Sequence, residues 1–532
     1  MTPFAKITNM CSCHASVARN KRGSLLLAVA GATFVIISLS VILLGMTSAA
    51  IRSNNRQQLR SSALQVAESG AERGVLWLRD QAIPPVANQN ITSQIGSAPT
   101  GSWTVNIVCD AENNVVFLKK YIIYATGTVS SHTRSVQVVV RQSTFGKFAY
   151  FTDRETASSG SVIRWASSDR VDGPVHSNNT GGTNFQIDYN GYSSSKRPIF
   201  MDQVTACGST INYNPRRPTS ETDYKKVFLN GSRGYLLGVQ KVNLPPSTEE
   251  QRKAAWGSDS GFPTTTGVYL KASKVNGIDT GVLYIRGDAA VTMSVNASGN
   301  QVITVTQGSG KSQKTATITY NKSSGTTTAS GTALGSGSAT SASSLSNGVI
   351  YCTGNITALS GTIADNSYSG GKITQRSAWT IATDTVAQKS ITIADDLVYK
   401  TRPDKTKAAN HATNLAAGTL GLVAQDIYIA DDGTSKHDHP DREIDAVLLA
   451  GSSTVNGSIS VNNYSQGNTG TLKVIGGLIQ STRGAVGTIS GGVVNHGYAK
   501  DYNYDPRLAT APPPFYPTTG QYDRLSWRVI PD

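Results

Sequence analysis

The sequence predicts a mainly β protein carried on one long N-terminal α-helix, and three features lead there. An apolar run near the start passes without a proline into an amphipathic pattern. A compact set of alternating strands follows. Beyond these, short apolar stretches bounded by glycine recur for several hundred residues. The 532 residues are long enough for two or three domains with sizeable cores. Charged residues make up 15%, well below the usual quarter, and there are 51 glycines, which suits a turn-rich β protein outside the cytoplasm.

The helix comes first. Leu25 to Met46 is interrupted only by Thr33, Ser38 and Ser40. About 20 apolar residues rising 1.5 Å each cross a bilayer core. Lys6, Arg19, Lys21 and Arg22 precede the run with no acid among them, so the N-terminus is expected in the cytoplasm and the rest beyond the inner membrane. The run is too long for an ordinary secretory signal, although Thr47-Ser48-Ala49-Ala50 offers an exit site. The periodicity then continues: Leu59, Ala63, Val66, Gly70, Gly74 and Trp77 fall three and four apart, until Pro84 and Pro85 stop it. A single helix over residues 24–80 would be roughly 85 Å long, with small residues along one stripe for close packing.

Next come strands. Trp103–Val108, Val115–Thr128 and Arg134–Val140 alternate or run apolar, and they read as an antiparallel sheet laid on the amphipathic half of the helix. Residues 83–100 read as a linker. From 146 onward the pattern changes. Gly281-Val282-Leu283-Tyr284-Ile285-Arg286-Gly287-Asp288 recurs as Gly348-Val349-Ile350-Tyr351-Cys352-Thr353-Gly354-Asn355, with looser copies at Leu420–Ile429 and Leu472–Ile479. Such repeats predict a β-solenoid-like domain with stacked Val, Ile and Leu ladders and with Tyr284 and Tyr351 at equivalent places. Irregular spacing leaves a β-sandwich as the alternative. Ser247 to Trp256 reads as a short helix with a Ser247/Glu250 capping box and a Gly257 stop. Residues 321–346 are low in complexity and read as a mobile loop.

The stretches Lys21-Arg22-Gly23-Ser24-Leu25-Leu26-Leu27 and Ala63-Leu64-Gln65-Val66-Ala67-Glu68-Ser69-Gly70-Ala71-Glu72-Arg73-Gly74 resemble the N-terminus of type IV pilins. The likeness is to minor pilins of the PilX type and to the K-type tip pseudopilin of type II secretion. It implies a leader over 1–23, cut by a prepilin peptidase between Gly23 and Ser24. It also implies a transmembrane and stalk helix over 24–82 that packs among other pilins, and a pilin-like antiparallel sheet over 100–145. One departure concerns the fifth mature position, where major pilins carry Glu and this chain has Ala28. Residues 146–532 then form the β-rich domain. Within it Trp165, Asp172-Gly173-Pro174-Val175-His176-Ser177-Asn178, Gly476–Gln480, Arg483–Gly487 and Gly497–Leu508 resemble an uncharacterised β-rich domain that often follows PilX-type N-termini in bacterial surface proteins.

Chemistry is sparse. Net charge is +14, but the lysines and arginines are spread out, so a nucleic-acid partner is not expected. Of five cysteines, Cys11 and Cys13 lie in the leader; Cys109, Cys207 and Cys352 allow at most one disulfide. His176 has no Gly-x-Ser-x-Gly or His-Glu-x-x-His around it and reads as a turn histidine bonded to backbone. The densest polar cluster is Asp431, Asp432, His437, Asp438, His439 and Asp441. Its oxygens would suit Ca²⁺, although the EF-hand spacing is absent. The aromatic tail, Tyr498 to Tyr504 and Pro512 to Pro517, reads as a cap over an open solenoid end. The expectation is therefore a non-enzymatic pilin-like subunit with no cofactor, anchoring a large β-rich domain at or near the tip of a pilus or pseudopilus. Its partners would be the inner membrane, the prepilin peptidase, other pilins and a possible surface ligand. The alternatives are an adhesin for glycan or protein, and a polysaccharide-active enzyme on a β-solenoid, for which no flanking carboxylate pair can be named.

Overall fold

The computed structural model describes residues 22–81, 85, 88–95, 101–109, 119–166, 169–180, 185–189, 197–275, 278–342, 346–430, 441–467, 469–490 and 493–531. It is mainly β with one long N-terminal helix. That helix, α1, runs unbroken over Arg22–Arg79.

The amphipathic half of α1 lies on a five-stranded antiparallel sheet. In spatial order its strands are Gln89–Ile95, Gly101–Cys109, Lys120–Val129, His132–Thr144 and Thr518–Ile530. Ala63, Val66, Ala67, Ala71 and Leu78 bury against Trp103, Val105, Ile107, Ile123, Val136 and Val138. The small residues set the separation. A Cβ on Gly127 would stand 2.3 Å from the Ala63 carbonyl oxygen and the Ala67 nitrogen, so strand and helix backbones touch there. Gly70 faces Trp103, and Gly74 faces Val105 and Ile123. Two strands differ from the sequence reading. Gln89–Ile95 falls in the expected linker; it is an edge strand of mostly polar residues, with no alternation to reveal it. The last strand comes from the far end of the chain.

That last strand changes the domain plan. Residues 146–532 were expected as one unit, yet Thr518–Ile530 pairs with His132–Thr144, with Thr518 opposite Thr144. The β-rich domain is therefore an insertion that leaves and re-enters the small sheet at adjacent points.

The inserted domain is a β-solenoid, and its parallel ladders exclude the β-sandwich alternative. One face reads, rung by rung, Tyr235, Val204, Val175, Tyr150, Leu478, Leu448, Leu422, Ile381, Ile350 and Leu283. All but Tyr235 are buried, because inward positions of in-register parallel strands stack on their equivalents. The repeat at 281–288 sits on the repeat at 348–355, and Tyr284 stacks on Tyr351 with ring centroids 5.7 Å apart. The Asp and Asn that end the repeats line one corner. Asp288 accepts from the Asn355 amide, Asn355 from the Ser390 amide, and Asp426 from the Ser458 amide. The outer side of the second face carries charges in register, Glu443, Lys473, Asp501 and Arg170, with signs alternating from rung to rung.

The chain does not coil from one end to the other. It enters at Tyr150–Arg154 in the middle of the stack and climbs to Tyr235–Leu237. Residues 238–262 then cross the outside of the first face to the opposite end. From Gly267–Val275 it coils back, until Thr469–Thr482 and Val493–Tyr504 pair with Tyr150–Arg154 and Arg170–Asp172. The crossing segment is tied down along its length. Val242 exchanges two hydrogen bonds with the Asn178 side chain (2.7 and 2.9 Å). Ser453 N–H donates to the Pro245 carbonyl, and the Thr248 hydroxyl donates to the Thr383 carbonyl. The helix starts at Glu249 with Thr248 at its N-cap and not in a Ser247/Glu250 capping box, although the Ser247 hydroxyl accepts from the Glu249 amide at 3.3 Å; it does stop at Gly257, in the left-handed conformation.

Two further expectations are corrected. The low-complexity stretch holds the strand Thr326–Gly331, antiparallel to Lys314–Asn321, with Thr327 and Ala329 buried. Its threonines alternate in and out, which composition alone hides. The aromatic tail is not an end cap. Tyr498–Tyr504 lies in a middle rung, and Pro513, Pro514 and Tyr516 pack over Gly421 and Gly348 on the outside of the first face. The ends are closed instead by antiparallel strands around Gln301–Gly331 and by Tyr224, Phe228 and Tyr235.

Gly127→Val should push α1 off its sheet and lower stability by about 3 kcal/mol, an overpacking cost at the upper end of the usual range. Denaturant unfolding of the detergent-solubilised chain checks this, with exposure of Trp103 as the accompanying signal.

Candidate functional site

Two regions hold the features a function can use: the helix with its sheet, and the seam where the solenoid closes on itself.

In α1 the large apolar side chains from Leu25 to Ile51 are all exposed, Leu25 at 71% and Phe34 at 73%. The helix is long and apolar enough to cross a membrane. Its few hydroxyls return to the helix's own carbonyls: Thr33 to Val29, Ser38 to Phe34, Ser40 to Ile36 and Thr47 to Leu43, at 2.7–2.9 Å. No polar group there needs water, which is the condition for lying in hydrocarbon or among apolar helices. Gly23 and Ser24 lie in the first turn of α1, and the leader before Arg22 lies outside the described residues. Ala28 stands in the exposed half. Ala63, Val66, Gly70 and Gly74 face the chain's own sheet, and Leu59 is half-buried at its margin. The helix thus has a half whose small-residue face is covered by the sheet and a half with no protein cover, and the second presents its apolar side chains all round.

Beside the covered half, Gln65, Glu68, Ser69, Ala71, Glu72, Val138, Arg524 and Trp527 line an open groove of about 630 Å³. An ion pair between Glu72 and Arg524 spans it and ties the last strand to the helix.

The seam is the second region. It brings together the two stretches that the sequence sets apart, Asp172–Asn178 and Gly476–Gln480, on neighbouring rungs around Tyr150–Arg154. Four charges converge there without solvent. Arg483 Nη1 donates to Glu155 Oε2 at 2.9 Å, and Lys500 Nζ donates to Asp169 Oδ2 at 2.7 Å. The guanidinium lies 4.3 Å from the centre of the fully buried Trp165 ring. Burial pushes the Lys500 amine below its usual range, against the pull of Asp169. Gln480 joins the halves as well, donating to the Tyr150 hydroxyl and accepting from Ile459 and Gly484. Sequence reasoning missed these charges, because each pair spans more than 320 residues. Only the local signatures around Trp165 and Arg483 pointed to the place.

His176 is a strand residue, which corrects the turn reading. Its ring lies beside Phe148 and Phe151, with Nδ1 2.8 Å from the Thr205 hydroxyl and Nε2 3.0 Å from Asn178 Oδ1. Burial pushes its pKa down, so the neutral form is favoured. Of the expected cation ligands, Asp431, Asp432, His437, Asp438 and His439 lie outside the described residues. Asp441 pairs with Lys473 at 3.0 Å and accepts from the Thr471 amide. Among the described residues no group of His, Cys, Asp and Glu could hold a metal ion, and no disulfide joins Cys109, Cys207 and Cys352.

No protein-family model matches the chain, and no curated protein does. Among solved structures it is similar to the competence-associated pilin ComZ from Thermus thermophilus. Identity is 15%, 89% of this chain and 98% of that chain are covered, and the TM-score is 0.27. A superposition that loose carries no argument about fold or function.

Because the seam charges are buried, losing one partner leaves the other uncompensated. Glu155→Gln or Arg483→Met alone should cost about 3–5 kcal/mol, and the pair together clearly less than the sum. A double-mutant cycle by urea unfolding checks this.

Proposed function

We propose that the chain is a non-enzymatic, pilin-like structural subunit, held in the inner membrane by the free half of α1 and then packed by it among other pilin helices. The observation that carries the reading is the division of one helix into an apolar half with no protein cover and a small-residue half clamped to an antiparallel sheet. The first half can exchange lipid for neighbouring helices without leaving a polar group unsatisfied. The second keeps the sheet, and with it the inserted domain, rigidly attached. Processing by a prepilin peptidase between Gly23 and Ser24 belongs to this reading. N-terminal mass spectrometry of the membrane-extracted protein should find Ser24 first. A start near Ala50 would mean an ordinary signal peptide and would remove the reading.

We place the subunit at or near one end of its fibre. Ala28 leaves no carboxylate to neutralise a neighbour's amino terminus within an apolar core, where an unpaired charge costs several kcal/mol. The inserted solenoid is also large beside a thin fibre. Immunogold labelling should fall at fibre ends and not along their length, and stoichiometry near that of the major subunit would overturn the placement.

A further inference from the structure

Between the apolar run and the sheet, α1 has a bare neck. Beyond the apolar run Leu25–Met46, the weakly polar Thr47–Ala50 leads to a last exposed apolar side chain, Ile51, and the first fully covered residue is Ala63. Over residues 51–61 every side chain is exposed except half-buried Leu59. The neck carries Arg52, Arg56 and Arg60. Residues four apart advance about 40° around a helix, so the three arginines share one face over roughly 12 Å of rise. The first acidic residue in the whole chain is Glu68, so no carboxylate on the neck competes for them. Arg52 immediately follows the last apolar residue. Arg56 stands about 6 Å further out, inside the polar headgroup layer, which adds roughly 5–8 Å to each side of the hydrocarbon core, and Arg60, about 12 Å out, reaches back toward that layer along its flexible stem.

We propose that Arg52, Arg56 and Arg60 form a lipid-binding collar that takes the phosphates of anionic phospholipids in the outer leaflet of the membrane. This rests on the reading of α1 as a membrane helix with its N-terminus in the cytoplasm. Arginine is suited to the task, since its planar fork donates two hydrogen bonds to one phosphate and stays charged at any pH of interest. The position is otherwise unfavourable, because basic residues flanking a membrane helix are enriched on the cytoplasmic side and these lie opposite. Removal of residues 1–23 would also take away Lys6, Arg19, Lys21 and Arg22. The collar would then be the only set of basic side chains flanking the apolar run, holding it at a fixed depth until the helix leaves lipid.

The test uses the full chain in vesicles of equal phosphatidylglycerol and phosphatidylcholine. The protein is extracted in mild detergent, and its retained lipids are counted by mass spectrometry. Phosphatidylglycerol should be enriched several-fold over its share in the vesicle. Replacing all three arginines by Gln should bring it down to that share. Arg→Lys at the three positions should keep most of the enrichment, and raised salt should weaken it, as expected for an electrostatic attraction at the surface. Enrichment unchanged in the Gln variant overturns the proposal. So does loss of contact between copies in that variant with lipid retention intact, which would assign the arginines to a neighbouring subunit's acids. A chain that does not stay with the vesicles after alkaline washing fails the membrane reading itself, a separate result from insertion without lipid preference.

Discussion

The large domain depends on one contact between distant parts of the chain, the parallel pairing of Thr469–Thr482 with Tyr150–Arg154. Coiled strands stack only on neighbours, so a solenoid is ordinarily built by continuing in one direction. Here the chain starts in the middle, and its two part-stacks would each expose a rung edge at the junction. An open edge of unpaired N–H and C=O groups invites association with other chains. Pairing the two edges removes both at once and continues the Leu448–Leu478–Tyr150–Val175 ladder without a break.

The seam also explains why charges lie in an otherwise apolar interior. Glu155 and Arg483, and Asp169 and Lys500, come one from each part-stack. Apolar ladders are nearly periodic, so a slip of one rung would still match Leu with Ile or Val. A misplaced charge would be left buried without its partner, at a cost several times that of a mismatched methyl group. We read the pairs as setting which rung meets which, and the crossing segment 238–262, bonded at Asn178, Ser453 and Thr383, as reinforcing that choice.

What the sequence could disclose follows from the range of each interaction. The long helix, the three central strands of the small sheet and the Gly-bounded rungs were legible, since each is a local period. The stacking of 281–288 on 348–355 was legible because the two segments resemble each other. The seam was not, for nothing in Tyr150–Arg154 resembles Thr469–Thr482. The strand Thr518–Ile530 was hidden for a related reason. At a sheet edge its Arg524, Leu525, Ser526, Trp527 and Arg528 stay exposed, so no buried side chains enforce alternation. Of the site residues, Ala63, Val66, Gly70 and Gly74 were visible as a stripe. The strands that cover that stripe were legible too; how closely they approach it depended on Gly127, a single glycine whose meaning appears only when the helix lies across it.

Because Thr144 and Thr518 face each other, both ends of the inserted domain attach at one point of the small sheet. A load on the solenoid therefore reaches α1 through paired strands and not through a single tether. It would act along the ladder between His132–Thr144 and Thr518–Ile530, whose cross-strand hydrogen bonds share a force directed along the strands. The Glu72–Arg524 pair and the Gly127 contact pass it on to the helix. The reverse holds as well. The strands around Gln301–Gly331 that close one end of the solenoid make no pairing with the small sheet among the described residues, so no ladder carries a change there to the helix. The insertion, more than the solenoid alone, joins the large domain to the helix and its sheet at one point and keeps the two otherwise separate.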